Sequence, residues 1–367
     1  MRIWLVPSAF HPSRGGVEEL TLQLAREYQR VGHEAIVLVH RNPSDLPTTD
    51  EVEGVPIRRL TMDLPGRDPR RLLGYPLALL RQVHALTRVA RPPDVIHVQC
   101  PANQVLPMCV YARRHRVPLI ISTQGEVTMD ADAVYEASAL MRLSLRLGSR
   151  AATSLTACSR RAGDDAATVA PAFTGCPVIP NGVDVDQWQV SPLPARPVFA
   201  AWGRHVEQKG FDLLIRAFAE VRRDLPGAVL RIGGDGERTA ELRALAGPGV
   251  EFLGALDRHG VQDLLTGARV AVVPSRLEPF GIVAVEAMAA GRTVVWSTNG
   301  GLADATGDLG RGVDPTDLSA MAKAMVEVSH TPLPPAAARA HAETLTWTSI
   351  GRRYLDLYSG LVRSSHV

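Results

Sequence analysis

The apolar positions of the chain alternate between two patterns. Continuous apolar runs of four or five residues are typical of strands buried on both faces, as in parallel sheets. Between these runs, apolar residues recur every three or four positions, as on one face of a helix. The predicted strands cover residues 3–6, 35–39, 95–98, 119–122, 155–159, 198–201, 229–232, 270–273 and 294–296. The pattern predicts repeated βαβ units, and therefore an α/β fold with mostly parallel sheets.

The length of the chain predicts two domains. At 367 residues it exceeds the size at which a single hydrophobic core normally stops growing. Prolines at 192, 194 and 197 mark a connection between two βαβ regions. We therefore predict a first domain over 1–182, a linker over 183–197, a second domain over 198–345 and a final helical segment over 346–367.

Composition excludes several classes of function. A formal net charge of +2, without interleaved basic and aromatic residues, gives no reason to expect a nucleic-acid partner. The four cysteines lack Cys-x-x-Cys spacing, so neither a zinc site nor a disulfide framework is indicated. The apolar start is too short for a signal peptide, and no run approaches the ~20 apolar residues of a transmembrane span. We expect a cytoplasmic protein, either without membrane contact or with contact to a membrane surface only.

Basic residues cluster between Arg58 and Arg91, where eight arginines stand against two aspartates. Such a stretch is compatible with a solvated helix face in an arginine-rich protein. It is also compatible with a surface for an anionic acceptor or for a membrane, which would make it the site of peripheral membrane contact. The sequence alone leaves both interpretations open.

The segment 269–291 holds the most informative pattern. A buried strand over 270–273 is followed by a loop and by a helix that starts near Gly281. Glu278 and Glu286 lie eight residues apart, at most about 12 Å at helical rise, which is roughly the length of a sugar-diphosphate-ribose ligand. The free N–H groups near Phe280, Gly281 and Ile282 would face the same ligand with positive partial charge. Two solvated glutamates flanking an ordinary turn are the alternative.

This segment resembles the signature of retaining glycosyltransferase family four, whose members have the GT-B fold. The matching residues are Glu278, Pro279, Phe280, Gly281, Glu286, Ala287, Met288, Ala289, Ala290 and Gly291. The resemblance implies two Rossmann-like domains that face each other across a cleft, an acceptor-side domain first and a nucleotide-sugar-binding domain second. It also implies a C-terminal helix that crosses back to the first domain. The expected reaction moves a hexose-type sugar from a nucleotide diphosphate sugar, UDP being the commonest base among relatives, to the hydroxyl of a small-molecule, glycan or lipid-linked acceptor.

Two cations extend the resemblance. Residues 203–210 match the family's Gly-Arg…Lys-Gly element, with Arg204 and Lys209 at the cationic positions. A guanidinium and an ammonium that follow a strand suit a diphosphate. The resemblance implies that Arg204, Lys209 and Glu278 are the catalytic residues of a front-face mechanism without a metal or another cofactor. The Asp-x-Asp pairs at 130–132 and 184–186 are short enough to occur by chance, so we predict no metal site.

The remaining expected contacts to the donor rest on the same resemblance. Gln124 stands where relatives often carry a histidine that contacts the donor sugar, so we predict an acceptor or sugar contact there and transfer no catalytic histidine. Glu286 is expected to hold the ribose, and Phe252 and Leu253 to lie beside the base. The complete predicted donor site consists of Gly15, Gly16, Arg204, Lys209, Gly234, Phe252, Leu253, Glu278, Phe280, Gly281, Ile282 and Glu286.

Other functions stay open at this point. A sugar-nucleotide epimerase of the same fold would consume donor without an acceptor, because a fold does not fix a reaction. A GDP-mannose-dependent mannosyltransferase would use the same residues with another base. A non-catalytic binding module is disfavoured, since both cations and both glutamates are present.

Overall fold

The computed structural model describes residues 1–13, 15–66, 69–89, 91–129 and 134–364. The chain forms two compact units, unit 1 (Met1–Ile179 with Trp347–Val367) and unit 2 (Pro180–Thr346). Unit 2 thus includes residues 183–197, where Trp188 is buried and accepts a 2.8 Å hydrogen bond from Arg339. Outside the described part lie Asp130 and Asp132, which form one of the two Asp-x-Asp pairs, and Arg67 and Asp68 of the arginine-rich stretch.

Unit 1 is built on a seven-stranded sheet of order β3-β4-β2-β1-β5-β6-β7. Its strands are β1 (Arg2–Pro7), β2 (Glu34–His40), β3 (Thr49–Val52), β4 (Val55–Leu60), β5 (Val95–Gln99), β6 (Leu119–Thr123) and β7 (Ser154–Ala157). Every pairing is parallel except that of β3 with β4. The central strands are apolar on both faces because helices cover both sides of the sheet.

The helices of unit 1 that precede unit 2 pack around this sheet. They are α1 (Gly16–Arg30), α2 (Pro69–Leu86), α3 (Val105–His115), α4 (Val134–Ala137), α5 (Ala139–Ala151) and α6 (Arg160–Val169), with a 3-10 turn over Pro171–Phe173. Trp4, Val98 and Ile121 from the sheet and Met108 from α3 lie in one buried cluster. The helices therefore close the core against the sheet.

Unit 2 is built on a six-stranded, fully parallel sheet of order β10-β9-β8-β11-β12-β13. Its strands are β8 (Val198–Trp202), β9 (Val229–Gly233), β10 (Val250–Gly254), β11 (Val270–Val273), β12 (Thr293–Ser297) and β13 (Arg311–Val313). Strand order reverses between the neighbours β8 and β11. In open parallel sheets, ligands bind outside the carboxyl ends of the strands at such a reversal.

The helices of unit 2 connect these strands. They are α7 (Phe211–Asp224), α8 (Thr239–Leu245), α9 (Arg258–Thr266), α10 (Ile282–Ala289), α11 (Leu302–Thr306), α12 (Leu318–His330) and α13 (Pro335–Glu343), with 3-10 turns over Val185–Gln187 and Glu207–Lys209. The predicted α/β class with mostly parallel sheets is thus confirmed in both units.

The last helix, α14 (Trp347–Ser364), returns to unit 1 as predicted. Its Tyr358 hydroxyl lies 2.6 Å from Nδ1 of His97 and 3.1 Å from the hydroxyl of Tyr28. On its other side, Nε2 of His97 lies 2.6 Å from Oγ of Ser122. These buried groups satisfy one another, so a chain of hydrogen bonds fastens α14 to β5, β6 and α1.

The buried network predicts an acid-sensitive stability. Burial lowers the pKa of His97 from 6.5 to about 3, because the charged ring would be desolvated. Between pH 6.5 and about 3, His97 therefore binds a proton in the unfolded chain and stays neutral in the folded chain. The neutral, buried His97 therefore stabilises the fold fully above pH 6.5. As the pH falls towards 3, this part of the free energy of unfolding is lost at up to about 1.4 kcal/mol per pH unit.

The measurement is urea unfolding of the wild type and of His97→Gln across this pH range. We expect the free energy of unfolding to fall faster with acidification in the wild type than in the variant, which lacks the titrating ring. Equal pH slopes for the two proteins would contradict this role of His97.

Candidate active site

Three loops of unit 2 meet where the sheet reverses its strand order. They are the cation loop (203–210) after β8, the glutamate loop (274–281) after β11 and the glycine loop (298–301) after β12. Because β8, β11 and β12 are neighbours, their carboxyl ends lie at the same edge of the sheet. The predicted residues Arg204, Lys209 and Glu278 therefore lie at the same edge of the sheet.

Backbone hydrogen bonds join the three loops. The N–H of Arg276 donates to the carbonyl of Gln208 at 2.8 Å, which ties the glutamate loop to the cation loop. On the other side, the N–H of Glu278 donates to the carbonyl of Asn299 at 3.3 Å, and that of Gly301 donates to the carbonyl of Glu278 at 2.7 Å. Glu278 is thus held by its main chain between both neighbouring loops.

Two glycines make this close approach sterically feasible. A Cβ on Gly210 would lie 2.2 Å from the carbonyl oxygen of Pro274, and one on Gly300 would lie 2.1 Å from that of Glu278. Both residues also have positive φ angles, +67° and +142°. Only glycine meets both demands without displacing backbone.

We expect Gly300→Ala to reduce turnover although residue 300 offers no functional side chain. The added methyl group must push the Glu278 backbone aside, and misplacing a reacting group by about 1 Å can cost about 100-fold in rate. Gly247→Ala is the matched control, because a Cβ there meets nothing within 4 Å. Steady-state kinetics of both variants check this, and wild-type turnover by a folded Gly300→Ala protein would contradict it.

Lys209 and Glu278 form one ion pair. Nζ of Lys209 lies 2.7 Å from Oε2 of Glu278, and Oγ of Ser275 donates to the same oxygen at 3.0 Å. The Glu278 side chain is only 9% exposed, whereas that of Lys209 is 23% exposed. An ammonium has three donors and an ionised carboxylate has several acceptor positions, so each group keeps capacity for a ligand. This site can hold an anion and a hydroxyl group side by side.

The third predicted catalytic residue, Arg204, lies two residues after β8 and is exposed. Within the described ranges it has no ion-pair partner, so its guanidinium is available to an anion. Gly234, also predicted to contact the donor, has φ +116°, and a Cβ there would lie 1.9 Å from the carbonyl oxygen of Gly203. Gly234 is therefore required for packing against the cation loop.

The start of α10 lies beside Glu278, since a Cβ on Gly281 would lie 3.2 Å from Cγ of Glu278. Gly281, with φ +94°, is the N-cap of α10, and a Cβ on it would lie 2.3 Å from Cδ2 of Leu302. A glycine N-cap has no side chain to bond the first N–H groups of the helix, including that of Ile282. Phe280 is buried beneath the turn, and Glu286 is half-buried on the helix. The geometry leaves the positive end of α10 next to Glu278.

Phe252 and Leu253 lie in the edge strand β10, just before its last residue Gly254. Three strand spacings, about 14 Å, separate β10 from β11. Phe252 is half-buried, with its ring 6.0 Å from that of His205 and with the Arg243 guanidinium 5.1 Å from its centroid. Leu253 is exposed. Phe252 therefore packs against the cation loop at His205.

A cluster of ion pairs that the sequence did not predict holds the glutamate loop next to the cation loop. Both terminal nitrogens of Arg276 lie 2.7 Å from the carboxylate of Asp212, and Arg238 lies 3.4 Å from it. Burial by itself would raise the pKa of Asp212, but the hydrogen bonds and charges of the two arginines outweigh it and lower that pKa. Asp212 is the second residue of α7, which follows the cation loop directly, so this bidentate pair fixes the glutamate loop on α7.

The remaining predicted residues belong to unit 1. Gly15 is the N-cap of α1, and a Cβ on it would lie 2.8 Å from a carboxylate oxygen of Glu18. A Cβ on Gly16 would meet no other atom within 4 Å. The N–H of Gln124 donates to Oε2 of Glu126 at 2.7 Å. Burial raises the pKa of Glu126 to about 7, and sequence reasoning gave this residue no role because its burial shows only in the fold.

The described residues contain no group of three or more His, Cys, Asp or Glu side chains that could hold a metal ion. Asp184 instead caps the 3-10 turn that follows it, by accepting from the N–H of Asp186 at 3.2 Å. In the same part of the chain, no helix is both long enough and apolar enough to cross a bilayer.

Comparison with known proteins assigns the family. A model described as "Glycosyl transferase 4-like domain" matches residues 15–182, and one described as "Glycosyl transferases group 1" matches residues 196–330. The glycogen synthase of Mycobacterium tuberculosis is 30% identical, over 90% of this chain and 87% of the relative. The GDP-mannose:cellobiosyl-diphosphopolyprenol alpha-mannosyltransferase of Xanthomonas oryzae is 28% identical, over 98% of this chain and 96% of the relative.

A solved structure agrees with this assignment. HepE of Anabaena, in complex with UDP, superposes with a TM-score of 0.75 over 98% of this chain and 100% of that chain, at 20% identity. At this identity the likeness shows the GT-B fold alone. Together with the matches in sequence, it establishes that the chain belongs to retaining glycosyltransferase family four and is a glycosyltransferase with the GT-B fold.

Proposed function

We propose that this protein transfers a hexose-type sugar from a UDP-sugar to a hydroxyl acceptor, with retention of configuration and without a metal ion. The observation that carries the proposal is the ion pair of Lys209 with Glu278 at the strand reversal of unit 2, 2.7 Å between Nζ and Oε2. It combines a cation for a diphosphate with a carboxylate for sugar hydroxyls.

The mechanism is a displacement on one face of the sugar. The bond from the anomeric carbon to the diphosphate oxygen breaks, and the acceptor oxygen bonds to that carbon on the same face. The acceptor proton passes to the leaving diphosphate. Lys209 and Arg204 stabilise the negative charge that develops there, which is electrostatic catalysis by groups already in position.

The sugar and the ribose have separate partners in this proposal. Glu278 accepts from sugar hydroxyls with the capacity that Lys209 and Ser275 leave free. The N–H groups at the start of α10 add a positive partial charge beside it. Glu286 accepts from the ribose hydroxyls, and Phe252 with Leu253 lies towards the base.

We expect Glu286→Ala to weaken nucleotide binding by about 1.5 to 3 kcal/mol, because two ribose hydroxyls lose a charged acceptor. Isothermal titration with UDP measures this. Glu327→Ala is the matched control, since Glu327 is an exposed glutamate on α12 of the same unit. If both variants bind UDP like the wild type, the ribose assignment is wrong.

A thermal-shift screen of UDP, GDP, ADP and TDP tests the donor. A ligand that binds only the folded state raises the melting temperature, by the equivalent of about 2.7 kcal/mol at one hundred times its dissociation constant. We expect UDP to give the largest shift. A larger shift with another nucleotide would overturn the base assignment, and no shift with any of them would overturn the donor site.

A GDP-mannose-dependent mannosyltransferase is the second candidate. It is favoured by the Xanthomonas relative, whose name includes GDP-mannose and whose match spans 98% of this chain. The same screen separates the two candidates, because GDP would then give the largest shift.

A further inference from the structure

The outer face of α2 in unit 1 is apolar although it faces solvent. Leu73, Leu77 and Leu80 are 85%, 56% and 60% exposed, and Leu72 beside them is 44% exposed. The spacing of 73, 77 and 80 places these three side chains in one stripe along the helix. A contiguous exposed apolar patch of this kind marks an interaction surface. We call Leu73, Leu77 and Leu80 the leucine stripe.

The inner face of the same helix lines a cavity of about 680 Å³. Its charged lining consists of Arg41, Arg59, Arg71, Arg81 and Asp63, so positive charge prevails. Tyr75 also lines it, and the hydroxyl oxygen of Tyr75 is buried without a hydrogen-bond partner among the residues that the structure describes. Burial raises the pKa of Tyr75 to about 12, so this hydroxyl remains a donor at neutral pH. The cavity therefore offers donors and positive charge to an anion.

The arginines of the cavity differ in availability. Arg59 is committed to the fold, because it donates to Asp50 at 2.8 Å and to the carbonyl of His11 at 2.7 Å. Arg81 is exposed and has no ion-pair or hydrogen-bond partner in the described part of the chain. One residue corresponds to about 100° around a helix, so Arg81 lies at the border between the leucine stripe, which ends at Leu80, and the cavity.

We propose that α2 docks unit 1 onto an anionic membrane, with the phosphate of a lipid headgroup in the arginine-lined cavity and the leucine stripe in the acyl boundary. An interfacial helix combines an apolar face with basic residues at its edges in this way. Guanidinium groups bind phosphate oxygens with charge-assisted hydrogen bonds. The apolar face explains why the arginine-rich stretch is more than a solvated surface, since leucine gains nothing from exposure to water.

A second helix of unit 1 supplies a matched control. Leu143 and Leu147 on α5 are also about half-exposed and have the same four-residue spacing as Leu73 and Leu77. Their neighbouring arginines are committed within the fold, because Arg142 donates to the carbonyl of Glu136 at 2.9 Å and Arg146 to that of Val169 at 2.7 Å. This pair shares the leucine spacing and the neighbouring arginines of α2, but its leucines are less exposed and its arginines are engaged in hydrogen bonds within the fold.

Cosedimentation of the full chain with vesicles tests the proposal. The vesicles consist of phosphatidylcholine alone or of phosphatidylcholine mixed with phosphatidic acid. We expect binding to the mixed vesicles, weaker at high salt, and little binding to phosphatidylcholine alone. Binding to both vesicles alike, or to neither, would overturn the proposal.

The variants locate the surface. We expect the double change Leu73→Ser with Leu77→Ser to lower the partition coefficient at least about tenfold. Arg81→Ala should lower it about fivefold and Tyr75→Phe, which removes only the hydroxyl, up to about tenfold on phosphatidic acid. Leu143→Ser with Leu147→Ser should leave it unchanged. An equal loss for the α5 pair and the α2 pair would contradict docking through α2.

These side chains are exposed or lose a single atom, so the variants should fold, which circular dichroism verifies. If the stripe variant folds and still sediments like the wild type, the leucine stripe is not the membrane contact. Binding of the wild type to a protein from solution in place of vesicles would likewise overturn the assignment to a lipid.

Discussion

Lys209→Ala is expected to lower kcat about 100-fold or more, the scale of removing one preorganised charge donor. Negative charge grows on the diphosphate as the glycosidic bond breaks, so a fixed cation there binds the transition state more strongly than the ground state. The change also leaves Glu278, 7% exposed, without the cation that lies 2.7 Å from it. Steady-state kinetics with saturating donor measure the effect.

Two variants accompany this measurement. Lys209→Arg should restore turnover only in part, because a planar fork cannot place its charge where a compact ammonium lay. Lys323→Ala is the matched control, since Lys323 is the only other lysine of the chain and is exposed on α12. A Lys209→Ala protein with raised KM and wild-type kcat would show that the cation only binds donor.

Glu278→Gln is expected to lower kcat about 100-fold as well. The amide has nearly the same shape and still accepts from Lys209 and Ser275, so the fold should be preserved. The variant loses the negative charge of residue 278, which strengthens hydrogen bonds from sugar hydroxyls and holds the Lys209 ammonium in position. Ser275→Ala, which keeps the carboxylate and removes one 3.0 Å hydrogen bond to it, should have a much smaller effect.

The double variant Lys209→Ala with Glu278→Gln separates one pair from two independent groups. Residues in direct contact do not have additive effects, so the loss in the double variant should be clearly smaller than the two single losses combined. Additive losses would contradict the description of Lys209 and Glu278 as one functional unit.

The sheet strands that are buried on both faces were predictable from the sequence. Residues 270–273, for example, form β11 as predicted. The hairpin of β3 and β4 was not predicted, because its strands TDEV and VPIRRL are short, partly exposed and without a continuous apolar run. The three-residue edge strand β13 offered no apolar run either. Pattern reasoning detects burial on two faces far better than strands at an edge.

The candidate site was predictable as a set of residues and not as an arrangement. Lys209 and Glu278 are 69 positions apart, so their contact follows only from the adjacency of β8 and β11. The same holds for Arg276 with Asp212, 64 positions apart. Gly300 must be a glycine because it lies against the Glu278 carbonyl, and this contact depends on the position of β12 beside β11. These contacts depend on which strands are neighbours in the sheet, and no local sequence pattern encodes that order.

The return of α14 to unit 1 came from the resemblance, and its means of attachment came from the structure. His97 lies between Tyr358 and Ser122 within a buried network. No periodicity along β5 distinguishes a histidine that joins two elements from any other polar residue in a strand. Its partners are 261 and 25 positions away.

The most direct test of the central claim follows donor and product together, with UDP-sugar in the presence and absence of hydroxyl acceptors. We predict release of one UDP for each sugar transferred, only when an acceptor is present, and an anomeric configuration in the product that equals that of the donor by NMR. Conversion of the donor without acceptor would indicate an epimerase. A product of inverted configuration would contradict the front-face mechanism built on Lys209 and Glu278.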